Sequence, residues 1–296
     1  MKQLAIIGPT ASGKSDLAIN IAQKINAYIL SIDSLSIYKE IDIVSAKPSK
    51  KELSQVKHFG INEINTDEHF SADIFISLYK KVVEKCKEDG KNLIIVGGTS
   101  FYLKSLIQGL STLPNITDIT QEIVKKKLLN LEKYHDFLST LDPEYMKKIT
   151  INDSYRIEKA ALIYEASGIT PSKWFEQNPP QAIIKNLTIF NIDVSRDLLR
   201  ERIEKRSAKM LQMGLIDEVC FLEQKYTRAP NAMKSIGIAE VLEYLDGKIN
   251  KEEMLELISI HTMQLAKRQQ TFNKTQFEGI ISAKLEDLEE IILQNI

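Results

Sequence analysis

The sequence has little cysteine, almost no net charge and no long apolar run. Its 296 residues include two cysteines, Cys86 and Cys220, which lie in unrelated contexts and form no CxxC pair. This scarcity excludes a disulfide scaffold and a cysteine-rich zinc site, so we expect two reduced, packed thiols. The 39 Lys and Arg residues nearly balance the 40 Asp and Glu residues, giving a formal charge of −1. A strongly basic nucleic-acid coat is therefore excluded, whereas a local basic groove is not.

Apolar segments are too short for a membrane protein or a secretory leader. No stretch approaches the roughly 18 apolar residues of a membrane span. At the N-terminus, the apolar run Leu4-Ala5-Ile6-Ile7 is followed at once by Gly8, unlike a signal-peptide core with its cleavage site. Hydrophobic residues make up 43% and charged residues 27%, as in ordinary globular domains. We expect a cytoplasmic protein with no membrane contact.

The first hundred residues alternate between short apolar runs and helical periods. In the predicted helix Asp73–Glu88, the side chains of Ile74, Leu78, Val82 and Cys86 are expected to face inward. Strands separated by helices indicate an α/β fold, with a mostly parallel sheet covered by helices on both faces. The predicted strands are Leu4–Ile7, Tyr28–Ile32 and Leu93–Val96, and the predicted helices are Ser15–Ile25 and Asp73–Glu88.

After Pro114 the pattern becomes purely helical. Asp142-Pro143-Glu144 is typical of a helix start, and Gly168 of a helix end. Strand character returns only at Leu187–Val194. We therefore predict a discontinuous α/β core, residues 1–114 and 186–296, interrupted by an all-helical insertion domain at residues 115–185. The remaining predicted elements are a helix at 195–213, helices near 214–225, 236–246 and 251–275, a strand near 279–283 and a last helix.

Residues 8–15 match the phosphate-loop pattern G-x-x-x-x-G-K-[ST] at every fixed position. The pattern follows a predicted strand and opens a predicted helix, which is the context that a P-loop NTPase-like fold requires. In such a loop, backbone N–H groups and the positive helix end bind an anion. The lysine supplies a mobile charge, and the serine hydroxyl can ligate Mg²⁺. The predicted phosphate-binding residues are Gly8, Pro9, Thr10, Ala11, Ser12, Gly13, Lys14 and Ser15, with Ser15 as the metal ligand.

The acidic residue that usually accompanies such a loop is missing from its usual place. Many NTPases carry an acid at the end of a later apolar strand, where it holds the metal, but Leu93–Val96 is followed by Gly97-Gly98-Thr99. This weakens the interpretation as an ordinary ATPase. Asp33 does follow a predicted strand, and ligands of doubly wound sheets bind beyond such strand ends. The residues alone leave open whether Asp33 is a pocket residue or a turn aspartate.

Two helical segments carry basic stripes. Residues 195–209 hold a net charge of +3, and Arg202, Arg206 and Lys209 fall on one helix face. Lys267, Thr271 and Lys274 form a weaker stripe of the same kind. Each stripe can be interpreted as a charged helix face in contact with solvent. Because the chain also contains a phosphate loop, however, we favour the interpretation that one of these arginines lies in the phosphate-binding site.

Together these segments resemble the tRNA dimethylallyltransferase (tRNA isopentenyltransferase) family, in its bacterial form without an added zinc finger. Single motifs are common, but the ordered set spans nearly the whole chain. It comprises GPTASGKS at 8–15, SIDS at 31–34 with Ile37-Tyr38, Asp42-Ile43 before Ala46-Lys47-Pro48, VGGT at 96–99 with Tyr102-Leu103, Asn152-Asp153 with Arg156, Arg202-Ile203-Glu204 with Arg206, Met210 with Gly214, Ser235-Ile236-Gly237, and Ala266-Lys267-Arg268-Gln269.

The resemblance implies transfer of a dimethylallyl group from its diphosphate to N6 of adenosine 37 in tRNA, next to the anticodon. The phosphate loop would then hold a leaving diphosphate, with Mg²⁺ as cofactor, instead of an NTP to be hydrolysed. Asp33 matches the family's general base, and Thr99 and Arg206 match residues at the diphosphate and the reacting centre. A monomer is expected, and whether ATP also occupies the loop stays open.

The resemblance also implies tRNA contacts. They are Asp33, Ser34, Leu35 and Ser36; Gln121, where the local match is poor; Tyr155, Arg156, Ile157, Glu158 and Lys159; and Lys267, Arg268, Gln269 and Lys274. The chain departs from the family pattern at Val44-Ser45, Lys159, Ile238-Ala239, Phe272 and Lys274. These departures affect the expected tRNA contacts and leave the transferase core intact.

Three other functions share some of these features. The nearest is the same chemistry on a free adenine nucleotide, against which the 70-residue insertion argues. A nucleotide or nucleoside kinase would share the phosphate loop, and so would a nucleotide-gated binding module without chemistry. Radiolabelled dimethylallyl diphosphate offered with tRNA, AMP, or ATP plus nucleosides distinguishes them.

Overall fold

A single parallel sheet organises the larger part of the chain. The computed structural model describes all 296 residues. The sheet has six strands in the order β3-β2-β4-β1-β5-β6, and every neighbouring pair is parallel. The strands are β1 (Gln3–Ile7), β2 (Ala27–Ser31), β3 (His58–Phe59), β4 (Asn92–Gly97), β5 (Thr188–Asp193) and β6 (Ile281–Lys284).

Fourteen α-helices accompany the strands. None of them is both long and apolar enough to cross a membrane. They are α1 (Lys14–Lys24), α2 (Lys50–Gln55), α3 (Ala72–Glu88), α4 (Ser100–Gln108), α5 (Asp118–Lys127), α6 (Leu131–Leu141), α7 (Pro143–Met146), α8 (Ser154–Ser167), α9 (Pro171–Gln177), α10 (Arg196–Gln212), α11 (Leu215–Tyr226), α12 (Ile238–Leu245), α13 (Lys251–Gln276) and α14 (Leu285–Gln294).

The chain divides into two compact units. Met1–Ile107 and Ile184–Ile296 form the first, which contains the sheet, and Gln108–Ile183 form the second. The second unit contains only helices, α5 to α9, and a short 3₁₀ turn, and it has its own apolar core. Asp142 caps α7 by accepting the N–H of Tyr145, with Pro143 in the first turn, as its sequence predicts.

The sheet unit is held by apolar residues from both sides of the sheet and from the C-terminal helices. Ile6, Ile94 and Phe190 on the central strands are fully buried and pack with α1 and α14. A second cluster joins the segment around Ile37–Val44 to α10, α11, α12 and α13. This cluster fixes the chain that follows β2, and therefore positions the residues at that edge of the sheet.

One position of helix α3 was predicted incorrectly. Ile74 is 37% exposed, whereas Phe75, Tyr79, Val82 and Cys86 are buried. The aromatic residues set the orientation of the helix, because the Phe75 ring stacks on Tyr102 and the Tyr79 hydroxyl donates to Gln3 Oε1 at 2.7 Å. These tertiary contacts outweigh the aliphatic spacing that includes Ile74.

Candidate active site

The loop between β1 and α1 has the conformation that an anion-binding turn needs. Gly13, at the N-cap of α1, has φ of 91°, and Ala11 also has a positive φ of 62°. Gly8 is needed for a different reason: a Cβ there would lie 3.2 Å from the Ile192 Cβ on β5. Lys14 is the first residue of α1. The positive end of α1 therefore lies at the loop, as the motif predicts.

Two arginines of α10 contact this loop from outside. Arg202 Nη1 donates to the carbonyl oxygens of residues 11 and 12, at 3.4 and 3.2 Å. Arg206 Nη1 donates to Thr10 Oγ1 at 3.1 Å. The third residue of the stripe, Lys209, is exposed. Arg202 thus stabilises the loop conformation through its backbone, while Arg206 brings a positive charge to the loop side that carries Thr10.

Asp33 and Thr99 follow the ends of two neighbouring strands, β2 and β4. Thr99 Oγ1 accepts the N–H of Ser34 at 3.2 Å, which joins the two strand-end turns. Asp33 Oδ1 accepts the N–H groups of Leu35 and Ser36, at 2.9 and 3.2 Å. Asp33 is therefore a turn aspartate through Oδ1, and neither of these hydrogen bonds involves Oδ2. The two interpretations of Asp33 in the sequence are compatible.

Lys14, Asp33 and Arg206 influence one another electrostatically. Burial lowers the pKa of Lys14 to about 8; the nearby Asp33 carboxylate opposes this shift and Arg206 adds to it. Burial also lowers the pKa of Arg206, again against the effect of Asp33. Lys14 Nζ donates to the Pro9 carbonyl at 3.1 Å. Two partly desolvated cations share one carboxylate, so binding of an anion would stabilise both charges.

Lys14, Asp33 and Arg206 line one cavity of about 610 Å³. Thr10, Lys14, Asp33, Thr99 and Arg206 contribute polar lining. The rest of the wall is largely apolar and aromatic, and includes Tyr38, Val44, Phe70, Tyr102, Met210, Ile258 and Phe272. A cavity with charged and apolar walls suits a ligand with an anionic group and a hydrocarbon group.

A smaller cavity of about 80 Å³ adjoins the same loop and is also lined by Lys14, Asp33 and Arg206. Ser15 and His58 contribute to its wall. The His58 Nδ1 lies 2.7 Å from the Val56 carbonyl, so that nitrogen is the protonated one, and burial lowers the pKa of the ring. Sequence reasoning missed His58, because its strand β3 has only two residues and too little periodicity to be recognised.

The predicted tRNA-contacting residues of the second unit lie on α5 and α8. Gln121 and Glu158 are exposed, and Tyr155 is 66% exposed with the Lys159 ammonium 5.3 Å from its ring centre. Arg156 Nη1 is 3.3 Å from Asp153 Oδ2. Ile157 is fully buried in the core of this unit, which corrects the prediction that its side chain contacts tRNA. It faces inward because α8 buries one side against α5 and α6.

The predicted tRNA-contacting residues of the sheet unit differ in accessibility. Ser34 is exposed and Leu35 half-buried, and both line the larger cavity. Ser36 is only 5% exposed, so its side chain is unavailable to a macromolecule. On α13, Lys267, Arg268 and Lys274 are exposed, and Arg268 also lines the cavity. Gln269 is half-buried and contacts the phosphate loop.

The aromatic part of the cavity wall was missed as a functional feature. Phe70 meets Tyr102 edge-on with ring centres 5.6 Å apart, and Phe75 stacks on the same ring at 5.0 Å. Tyr102 lies on α4, a helix not predicted from the sequence. The apolar pattern Tyr102, Leu103 and Leu106 is the signal that identifies this helix.

Comparison with known proteins places the chain in a family. A family model described as IPP transferase matches residues 36–276. The chain belongs to this family. It is 68% identical to a tRNA dimethylallyltransferase of Sulfurimonas denitrificans over 296 residues, with 100% of both chains covered. A protein of the same name from Helicobacter pylori is 40% identical over 296 residues, covering 99% of this chain and 94% of the relative.

Solved structures of the family have the same fold. A tRNA Δ(2)-isopentenylpyrophosphate transferase from Staphylococcus epidermidis is 31% identical, with a TM-score of 0.71 over 100% of this chain and 98% of that one. A eukaryotic dimethylallyltransferase described as acting on tRNA is 25% identical, with a TM-score of 0.85 over 99% of this chain and 78% of that chain. The family resemblance noted in the sequence is confirmed.

Proposed function

We propose that this protein transfers a dimethylallyl group from dimethylallyl diphosphate to N6 of adenosine 37 in tRNA, releasing diphosphate and giving N6-dimethylallyladenosine. One observation carries the proposal. A phosphate loop with two partly desolvated cations, Lys14 and Arg206, shares an apolar-walled cavity with the carboxylate of Asp33. An anionic leaving group, a hydrocarbon and a base are the three requirements of this reaction. The names of the relatives agree with this assignment.

The charges of the loop act on the leaving group. As the C–O bond to the diphosphate breaks, negative charge grows on the departing oxygen. Lys14, Arg206 and the loop N–H groups are fixed at the cavity wall, so they stabilise this charge without first having to reorganise. The arginine is held in place by Thr10.

Asp33 acts on the acceptor. The exocyclic amine of adenine is a weak nucleophile, because its lone pair is delocalised into the ring. As the new C–N bond forms, the amine loses a proton, and Asp33 accepts it. The Oδ1 contacts with residues 35 and 36 fix the orientation of the carboxylate. A stacked base has no access to such a cavity, so the adenosine must be flipped out of the anticodon loop.

The residues around Ser15 fit a Mg²⁺ ion that is bound mainly by the substrate. No group of three or more His, Cys, Asp or Glu side chains is placed to hold a metal. Mg²⁺ in phosphate sites keeps several waters and takes few protein ligands, so the exposed Ser15 hydroxyl beside the loop is a sufficient donor set. When bound, the ion would offset diphosphate charge.

We also infer that the sheet unit is a P-loop NTPase-like domain and that the helical unit is an insertion that binds tRNA. The β1–loop–α1 geometry supports the first inference. The second inference is supported by the exposed Tyr155 and Arg156, the half-buried Lys159 and the three consecutive lysines that end α5. Cationic and aromatic side chains are what an RNA backbone and its unstacked bases bind. A tRNA substrate in turn favours a cytoplasmic location.

A transfer assay tests the proposal. Radiolabelled dimethylallyl diphosphate is incubated with the protein and, in separate reactions, with unmodified tRNA, the same tRNA carrying guanosine at position 37, or AMP. Label is expected only in the first reaction. Label in AMP would favour a free-nucleotide prenyltransferase. A further reaction contains ATP and nucleosides. Transfer of the γ-phosphate of ATP to a nucleoside there, with no label in tRNA, would indicate a kinase and contradict the proposal.

A further inference from the structure

Three side-chain amides of helix α13 contact the carboxyl edge of the sheet. Gln270 Nε2 donates to the Val194 carbonyl at 3.2 Å, and Asn273 Nδ2 donates to Asn191 Oδ1 at 3.1 Å. Both contacts reach β5 or its end. Gln269 reaches further along the edge, to the turns that follow β1 and β4.

Gln269 joins these two turns through both ends of its amide. Its Oε1 accepts the N–H of Thr10 at 2.8 Å, and its Nε2 donates to the carbonyl of Gly98 at 3.1 Å. Among uncharged side chains, only a carboxamide offers a carbonyl acceptor and an N–H donor on one planar group. The contact therefore depends on the chemistry of glutamine and not merely on its size.

Two of the polar groups of Thr10 are held by two different helices. Its N–H is bound by Gln269 on α13, and its Oγ1 accepts from Arg206 on α10. Thr10 lies in the phosphate loop, outside any helix or strand, so its N–H has no partner from regular structure. If Gln269 is removed, only the Arg206 contact remains to set the position of Thr10.

The opposite end of the contact lies directly beside Gly98. A Cβ on Gly98 would lie 2.4 Å from Gln269 Nε2, closer than side-chain atoms approach one another. The Gln269 amide thus occupies the space beside Gly98, one residue before Thr99. It fixes the spacing between the loop that carries Thr10 and the turn that carries Thr99.

We propose that Gln269 is a positioning residue for the diphosphate site, and that it holds the phosphate loop in register with the β4 turn instead of contacting tRNA. The inference rests on the proposed function, since the ligand in question is the diphosphate of dimethylallyl diphosphate. Its effect is indirect: it sets where Thr10, Arg206 and Thr99 lie relative to one another.

The first test compares two variants of adjacent glutamines. Gln269→Met keeps the length of the side chain and removes both hydrogen bonds of the amide. Gln270→Met also keeps the length of the side chain, but it removes the hydrogen bond to Val194, which does not reach the phosphate loop. Dimethylallyl diphosphate binding is measured by calorimetry without tRNA. Gln269→Met should raise its Kd about tenfold, the scale of one or two lost hydrogen bonds, and Gln270→Met should leave it within about twofold. The tRNA Kd should be similar in all three proteins.

Hydrogen exchange gives a readout independent of binding. Peptides that cover residues 8–13 should exchange faster in Gln269→Met than in the wild-type protein and Gln270→Met, because the Thr10 N–H has lost its partner. Equal exchange in all three proteins would overturn the proposal. So would a Gln269→Met protein with unchanged diphosphate affinity and weakened tRNA binding, which would make Gln269 a tRNA contact.

Gly98→Ala provides a second variant in which Gln269 itself is retained. The new methyl group meets the end of a flexible side chain, so the amide can swing aside without unfolding the protein. Gly98→Ala should therefore weaken dimethylallyl diphosphate binding about as much as Gln269→Met does. When Gly98→Ala is introduced into a Gln269→Ala protein, it should raise the Kd of dimethylallyl diphosphate little further. Fully additive effects would show that Gly98 and Gln269 act separately, contrary to the proposal. Failure of the proposed function is detected separately, as absence of transfer by the wild-type protein.

Discussion

Replacement of Asp33 by Asn separates the chemical step from the structure around it. The side-chain carbonyl of Asn can still accept the N–H groups of Leu35 and Ser36, so the turn after β2 should survive. The amide is far too weak a base to take a proton from N6. We therefore expect the single-turnover rate to fall by ~10²–10⁴, the usual contribution of general acid–base catalysis. The Kd of dimethylallyl diphosphate should change much less.

A matched control is available nine residues along the chain. Asp42→Asn also removes a carboxylate from the segment after β2, but Asp42 pairs with Lys47 and lines neither cavity. Single-turnover transfer with saturating tRNA and dimethylallyl diphosphate isolates the chemical step from product release. Asp42→Asn should react at a rate near that of the wild-type protein. If Asp33→Asn does so too, Asp33 is only a turn residue and the proposed proton acceptor is wrong.

The remaining predictions concern charge, metal and acceptor. Burial lowers the pKa of Lys14 to about 8 and a bound diphosphate favours its charged form, so above pH 8 binding requires proton uptake. The affinity for dimethylallyl diphosphate should fall about tenfold from pH 7 to pH 9. Calorimetry should show that Lys14→Met binds dimethylallyl diphosphate weakly and that its affinity does not fall over this pH range. An identical pH profile in the variant would refute the assignment of the pH dependence to Lys14. EDTA should abolish transfer and added Mg²⁺ should restore it, whereas full activity in EDTA would exclude a required metal. Ser15→Ala should raise the Mg²⁺ concentration needed for half-maximal activity without changing the tRNA Kd. A Cβ on Gly109 would lie 2.1 Å from the Gln181 carbonyl oxygen, so the chain enters and leaves the helical unit at adjacent points. Replacing residues 110–180 by a short Gly-Ser linker should preserve dimethylallyl diphosphate binding and abolish tRNA binding, which in the full chain should weaken as salt rises; persistent tRNA modification by the shortened protein would assign recognition to the sheet unit.

Local signals in the sequence were sufficient for the phosphate loop and for most elements around it. The loop pattern, the helix start at Lys14 and the cap at Asp142 each depend on residues within a few positions of one another, so they can be recognised without knowing the fold. The orientation of α3 cannot be recognised in this way, because it is set by contacts of Phe75 and Tyr79 with α4 and β1. For the same reason, the contact between Gln269 and the phosphate loop could not be predicted from the sequence, because its hydrogen bond to Thr10 joins residues 259 positions apart. The assignment of Gln269 as a tRNA contact came only from the family resemblance of the segment, which also holds the exposed Lys267 and Arg268.

Strand order decides which of the separate sequence motifs can share one cavity. The sequence places a polar residue after each of β1, β2 and β4, but it does not say which of these strands are neighbours. In the structure β4 lies between β2 and β1, so Asp33, Thr99 and the phosphate loop follow three consecutive strands. Neighbouring strands are about 4.8 Å apart, which puts all three within the reach of one small ligand. Had β2 paired with β1 directly and β4 been placed at the far edge, Thr99 would be too distant to bond the N–H of Ser34. The convergence of the site is therefore a property of the sheet topology, and the glycines at 97 and 98 let the β4 turn approach its neighbours, since a Cβ at 97 would lie 2.9 Å from the Ile32 carbonyl carbon.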